Sequence, residues 1–328
     1  MAKKGKKAKT QIAKLSRANP TRTLTVECRN GASFPAEVMK QVAPERAEQL
    51  AAILTDLGIT FRIDKNVEDI HFRADSQSNV ILVGTKCLSR LWVHAFAYFT
   101  IFTDLVPLKV SDPEAPLSLR GSDRLRKAAA LLKWAVKADL HFQLGDKNEV
   151  DSSMASLPSE IEPVFSDKQF AVDKRFADRH ATIALGFILH HELAHIRLGH
   201  TATKELLSIE QEKDADRAAA DWLLGSPDLD GRELLKRQLG VTIALGWLAS
   251  RNVYIGHSSK THPPAWDRLY QILEQYVEND HAIAWAFAAA MLGVHLENQR
   301  RSEIDMEREF SSFKEAVSYD VDVLSRLS

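Results

Sequence analysis

Residues 181–200 read ATIALGFILHHELAHIRLGH. Ile183, Ala184, Phe187, Ile188 and Ala194 recur at helical spacing, so the stretch is expected to form a largely apolar helix that crosses a core. Gly199 follows the periodic residues and reads as the C-terminal cap. His191 and His195 stand four apart and present their imidazoles side by side, which is the spacing a Zn²⁺ ion needs. Glu192 points close to the open coordination position, where it can deprotonate a water instead of binding the metal. The bland alternative is a pair of core histidines satisfied by hydrogen bonds. The motif itself points to a zinc hydrolase, most often a peptidase.

A catalytic zinc held by two histidines needs a third protein ligand, and a glutamate is a common one. Residues 205–225, ELLSIEQEKDADRAAADWLLG, carry a helical apolar stripe of Leu206, Leu207, Ile209, Ala215, Ala218, Ala219, Trp222 and Leu223. Glu212 and Asp216 sit on one face of that helix. Glu212 is the expected third ligand, with Glu210 and Asp214 as replacements. Asp216, one turn on, is placed to accept the N–H of a ligand histidine, His191, and so to fix its tautomer. The competing reading is an acidic face that is merely solvated, Asp221 included. His200 is out of register for a three-histidine metal pattern and reads as a capping or rim residue. His190 is rotated about a quarter turn or more from His191 and reads as a packed or supporting group.

In residues 257–269, HSSKTHPPAWDRL, Pro263 and Pro264 stiffen the approach to a helix that begins near Ala265 and hold His262 on a rigid corner. A fixed imidazole there is a candidate donor to the oxyanion of a tetrahedral intermediate. The equal alternative is that His262 and Arg268 pin the helix to its neighbours, Arg268 pairing with an acid around Asp216.

The segments HHELAHIRLGH, EKDADRAAADWLL and THPPAWDRLYQIL, in that order, resemble the three signature blocks of gluzincin-type zinc metallopeptidases. Among soluble members the chain is most similar to the Lit-type phage-exclusion peptidases of bacteria, and the likeness covers residues 172–275. The resemblance implies Zn²⁺ on His191, His195 and Glu212, Glu192 as base, and Asp216 as the supporting carboxylate. It also implies a helical metallopeptidase core. Since Lit-type enzymes cleave a translation elongation factor, it makes such a factor a candidate protein substrate.

With 328 residues and 45% hydrophobic content the chain can bury a substantial core. Net charge is −1, yet eight lysines and arginines precede the first acid, Glu27, leaving 35 basic against 44 acidic residues beyond them. Residues 1–22 therefore read as a basic disordered tail that meets nucleic acid weakly if at all. That tail lacks the apolar core of a secretory signal. Cys28 and Cys87 suggest neither a metal knuckle nor a disulfide framework, and a reducing cytoplasm is the expected setting. The uncharged runs 91–103 and 282–296 are shorter than the roughly 18 to 20 apolar residues of a spanning helix, so a soluble protein without a membrane partner is expected. Oligomeric state is left open.

The expected fold class is α+β, mainly α: a helical metallopeptidase core with a small N-terminal antiparallel sheet. A helix is expected from about Glu45 to Leu57, ended by Gly58. Strands follow at 59–63, 69–74 and 79–84, rich in Ile, Phe and Val and separated by polar turns. Helices are expected at 85–104, 122–140, 172–198, 205–224, 231–253, 265–278, 281–298 and 303–326. Trp92, Phe96, Tyr98, Phe99, Trp285 and Phe287 read as core. The resulting organisation is a tail (1–22), a helix, sheet and helices (23–144), a long loop (145–167) that is either a lid or a connector, and the zinc-peptidase core with its C-terminal helices (168–328). Two further functions stay in view: a zinc-binding regulator or binding protein on the same scaffold, and a protease that cleaves a repressor.

Overall fold

The computed structural model describes residues 33–64, 72–111, 122–143, 167–200, 209–255, 263–299 and 310–327. Within them the chain forms helices α1 (Phe34–Val42) and α2 (Ala47–Asp56), strands β1 (Thr60–Asp64), β2 (Phe72–Asp75) and β3 (Val80–Gly84), and helices α3 (Thr85–Ser111) and α4 (Asp123–Gln143). There follow α5 (Ala171–Arg197), α6 (Ile209–Leu224), α7 (Gly231–Ile255), α8 (Ala265–Tyr276), α9 (Ile283–Gln299) and α10 (Phe313–Leu327). The molecule is mainly α with a small sheet. The basic tail and nearly all of the loop expected at 145–167 lie outside the described residues.

Helix α5 is the axis of the fold. Every residue from Ile183 to His191 is buried, and α1, α3, α6 and α7 pack around the helix. Close approach is built in by glycine. A Cβ on Gly240 of α7 would meet Cγ2 of Ile183 at 2.3 Å, and one on Gly186 would meet Val42 of α1 at 2.5 Å. The aromatic residues expected in the core are there: Trp92, Phe96, Tyr98, Trp285 and Phe287 are buried, and Phe99 packs against them. Among the described residues no helix is long and apolar enough to cross a membrane.

Two expectations need correction. The single helix expected from Glu45 is preceded by α1 and by a 3₁₀ turn at Pro44–Arg46, because Pro44 has no N–H to continue α1. Gly58, at φ +61°, ends α2 as its position suggests. The sheet is mixed, not antiparallel. Its order is β1-β3-β2, with β3 antiparallel to β2 and parallel to β1. Ile81, Leu82 and Val83 of β3 are all buried, as a central strand covered on both faces requires. Strand composition carries no direction, so the pairing of β1 with β3 had no signal in the local pattern.

Strand β2 is left at the sheet's edge, against α5. The Asp75 carboxylate caps the turn that follows, accepting from the amides of Gln77 and Ser78 and from the Ser78 hydroxyl. The Phe72 ring meets Trp247 of α7 edge-on, with centroids 6.0 Å apart. Those two anchors hold β2 beside the last turns of α5.

A candidate metal centre on α5, α6 and α8

His191 and His195 face the same way from α5, and their Nε2 atoms lie 3.1 Å apart. Helix α6 turns its Glu212–Asp216 face toward them. Oε2 of Glu212 is 3.5 Å from Nε2 of His191, and Oε1 is 3.5 Å from Nε2 of His195. One donor atom from each of the three residues lies within 4.8 Å of the others, and all three side chains are buried.

This donor set suits a zinc ion. Tetrahedral ligands about 2.0–2.1 Å from the metal stand about 3.3–3.4 Å from one another; the two Nε2 atoms, 3.1 Å apart, are close to that spacing, and the Glu212 carboxylate faces both, one oxygen 3.5 Å from each. Two imidazole nitrogens and a carboxylate turned toward one point are chemically suited to a borderline divalent cation.

Behind His191 stands a second layer. Nδ1 of His191 lies 2.9 Å from Oδ1 of Asp216. From α8, Arg268 grips the same carboxylate with two hydrogen bonds, Nε to Oδ2 at 2.6 Å and Nη2 to Oδ1 at 2.7 Å. Its Nη1 reaches to 3.8 Å from Glu212. Pro264 starts α8 and its carbonyl accepts the amide of Arg268, so the helix start sets where the guanidinium emerges. His262 lies outside the described residues.

Charge in the site is arranged around one preference. Burial works against a proton on His191, but hydrogen bonds to Asp216 and Glu212 outweigh it and push its pKa up to about 10. Burial raises Asp216, and Arg268 and His191 more than reverse this, holding it well below the usual carboxylate range. Burial and the neighbouring charge of His191 bring His195 down to about 3. Asp216 and Glu212 together thus favour positive charge on His191.

Glu192 lies beside the centre, between it and the sheet, and its Oε2 accepts the backbone amide of Ala74 at 2.7 Å. Burial raises its pKa, against the pull of His191 and of that amide. His190 is not at the centre. It stacks on Trp222, ring centroids 5.1 Å apart, and burial brings its pKa to about 3. Of the two readings of His200, capping or rim, the structure favours the first: its amide donates to the His195 carbonyl at the end of α5, and the side chain is buried with its Nδ1 3.0 Å from Nδ1 of His195. Glu210 and Asp214, the replacement ligands, pair instead with Lys213 and Arg217 on the outer face of α6.

Two contacts escape a sequence reading. The Ala74–Glu192 bond uses a main-chain amide, which no side-chain pattern announces. The His195–His200 contact had one signal, a histidine directly after a helix-ending glycine.

A family model described as Peptidase U49 matches residues 81–288, more than half of the chain. The chain is 27% identical over 264 residues to a protein of Escherichia coli (strain K12) named "Cell death peptidase", an alignment that covers 77% of this chain and 82% of that relative. No solved structure matches. The family match spans all of α5, α6 and α8, and so every residue of the centre just described except Ala74.

Proposed function

The chain belongs to the Peptidase U49 family and is a protease, and we propose that it works as a zinc-dependent endopeptidase on a specific cytoplasmic protein. The observation that carries the metal is the convergence of His191, His195 and Glu212, with one donor atom from each within 4.8 Å of the others. When bound there, Zn²⁺ supplies Lewis acidity toward a scissile carbonyl and acidifies water.

The chain's own residues do the rest. Glu192 takes the proton of the attacking water and passes it to the leaving amine; burial, by raising its proton affinity, suits it to both. The Ala74 amide holds that carboxylate through Oε2. Asp216 fixes the tautomer of His191, and Arg268 fixes Asp216. As an edge strand beside α5, β2 offers an extended polypeptide a line of backbone groups to pair with.

The similarity to a relative named a cell death peptidase supports a proteolytic role. By the Lit-type resemblance, a translation elongation factor is the candidate substrate, in a phage-exclusion or stress response.

The test is to incubate metal-loaded protein with bacterial lysate and identify new protein termini by mass spectrometry, beside Glu192→Gln and chelator-treated protein. One or a few new termini, absent from both controls, are expected. Termini that persist at full yield with Glu192→Gln overturn the assignment of the base, and termini that persist after chelation overturn the metal.

A further inference from the structure

We propose that His200 is a positioning residue for His195, holding it in the tautomer that turns an Nε2 lone pair toward the metal, as Asp216 does for His191. The inference rests on the reading of His191, His195 and Glu212 as ligands.

The backbone brings the two rings together. Helix α5 ends with Gly199 in the left-handed region, φ +67°, a conformation that glycine adopts without strain. The Gly199 amide then donates to the Ile196 carbonyl at 3.1 Å and the His200 amide to the His195 carbonyl at 2.9 Å. Those two bonds make a Schellman motif, in which the second residue past the helix end folds back over the third residue from it. An apolar contact commonly joins that pair. Here the pair is two imidazoles, their Nδ1 atoms 3.0 Å apart and their ring planes at 64°.

Proton counting then assigns roles. Two nitrogens at hydrogen-bond distance share one proton, so one Nδ1 donates and the other accepts. A neutral imidazole carries a single N–H, and a histidine that ligates through Nε2 must carry it on Nδ1. His195, whose Nε2 faces His191 and Glu212, is therefore the donor. His200 accepts at Nδ1 and keeps its own proton on Nε2. The usual partner behind a ligand histidine is a carboxylate, carbonyl or water; at His195 the Schellman turn supplies an imidazole.

Three variants separate this role from packing. His200→Phe keeps the ring and removes the acceptor, His200→Asn places an acceptor where Nδ1 stood, and His200→Gln places one further out. Zn²⁺ affinity is measured by competition with a chelator, and the absorption spectrum of the Co²⁺-loaded protein reports the ligand field. Circular dichroism of the metal-free proteins checks that each is folded. His200→Phe and His200→Gln are expected to bind Zn²⁺ about 10- to 100-fold more weakly with a shifted Co²⁺ spectrum, while His200→Asn stays close to wild type in both. Wild-type affinity in His200→Phe or His200→Gln overturns the proposal, as does a loss in His200→Asn as large as in His200→Phe. A wild-type protein that takes up no Zn²⁺ defeats the ligand reading itself, a separate outcome from a wild type that binds and variants that do not differ.

Discussion

The amide of Ala74 on strand β2 donates to Oε2 of Glu192 on helix α5 at 2.7 Å, across 118 residues of sequence. One hydrogen bond thus ties the free edge of the sheet to the carboxylate beside the metal centre. The amide points away from β3, so the sheet does not need it.

Ala74→Pro removes this donor at an edge position, where proline is tolerated. A hydrogen bond to a charged group is worth about 1.5–3 kcal/mol, so cleavage is expected to fall about 10-fold or more. Zn²⁺ uptake should be unchanged, since no ligand is touched. Cleavage at the wild-type rate in a folded Ala74→Pro protein would show that Glu192 needs no such hold.

Arg268 and Asp216 form a buried, doubly hydrogen-bonded pair. Taking away one partner of such a pair leaves an uncompensated charge and costs about 3–5 kcal/mol. Arg268→Met is therefore expected to lower the urea midpoint of the metal-free protein markedly, because Asp216 and Glu212 are then left without the guanidinium. An unchanged midpoint would mean that this pair orients the site without supporting the fold.

Gly240→Ala tests the crossing of α5 and α7. Alanine normally favours a helix by about 1 kcal/mol over glycine. Here its Cβ would sit 2.3 Å from Cγ2 of Ile183, and overpacking of that kind costs about 1–3 kcal/mol. A net loss of stability is expected, and Ile183→Ala should cost less in the Gly240→Ala background than alone, read in a double-mutant cycle. Additive costs would mean that the clash is relieved elsewhere.

A pH dependence follows from His295, which is fully buried on α9 with its Nε2 2.8 Å from the Tyr98 hydroxyl. Burial, helped by the nearby His94, brings its pKa to about 3. Between the unfolded value near 6.5 and that folded value, the unfolded chain binds the proton and the native chain does not. Stability from this group is complete above the unfolded value and is lost as pH falls toward 3, by up to about 1.4 kcal/mol per pH unit. His180, brought to about 4 chiefly by burial, adds in the same direction. Thermal unfolding midpoints should fall steeply below about pH 6.5, and His295→Gln should flatten the slope. Parallel profiles for the two proteins would exclude His295 as a source.

What could be read from the residues follows their periods. Residues four apart on one helix share a face whatever surrounds them, so His191 with His195, and Glu212 with Asp216, could be paired on the page; the structure places the first two Nε2 atoms 3.1 Å apart and sets the second pair against them. Apolar spacing likewise located α3, α4, α5 and α7 to within a few residues of their ends, except that α3 runs on to Ser111. Helix α1 was missed because its hydrophobic face is short and Pro44 interrupts the pattern that follows.

The sequence alone determined the local chemistry: which helix bears two imidazoles, which bears the facing carboxylates, and where a glycine must end the first of them. Only the tertiary structure decided which side of β3 each strand occupies, that Ala74 holds Glu192, and which of the acids near Asp216 Arg268 grips. The reason is one of range. Helical periodicity and turn stereochemistry are set by neighbours a few residues apart, whereas strand order and main-chain contacts between distant segments depend on how the whole chain packs, and no short pattern of side chains encodes them.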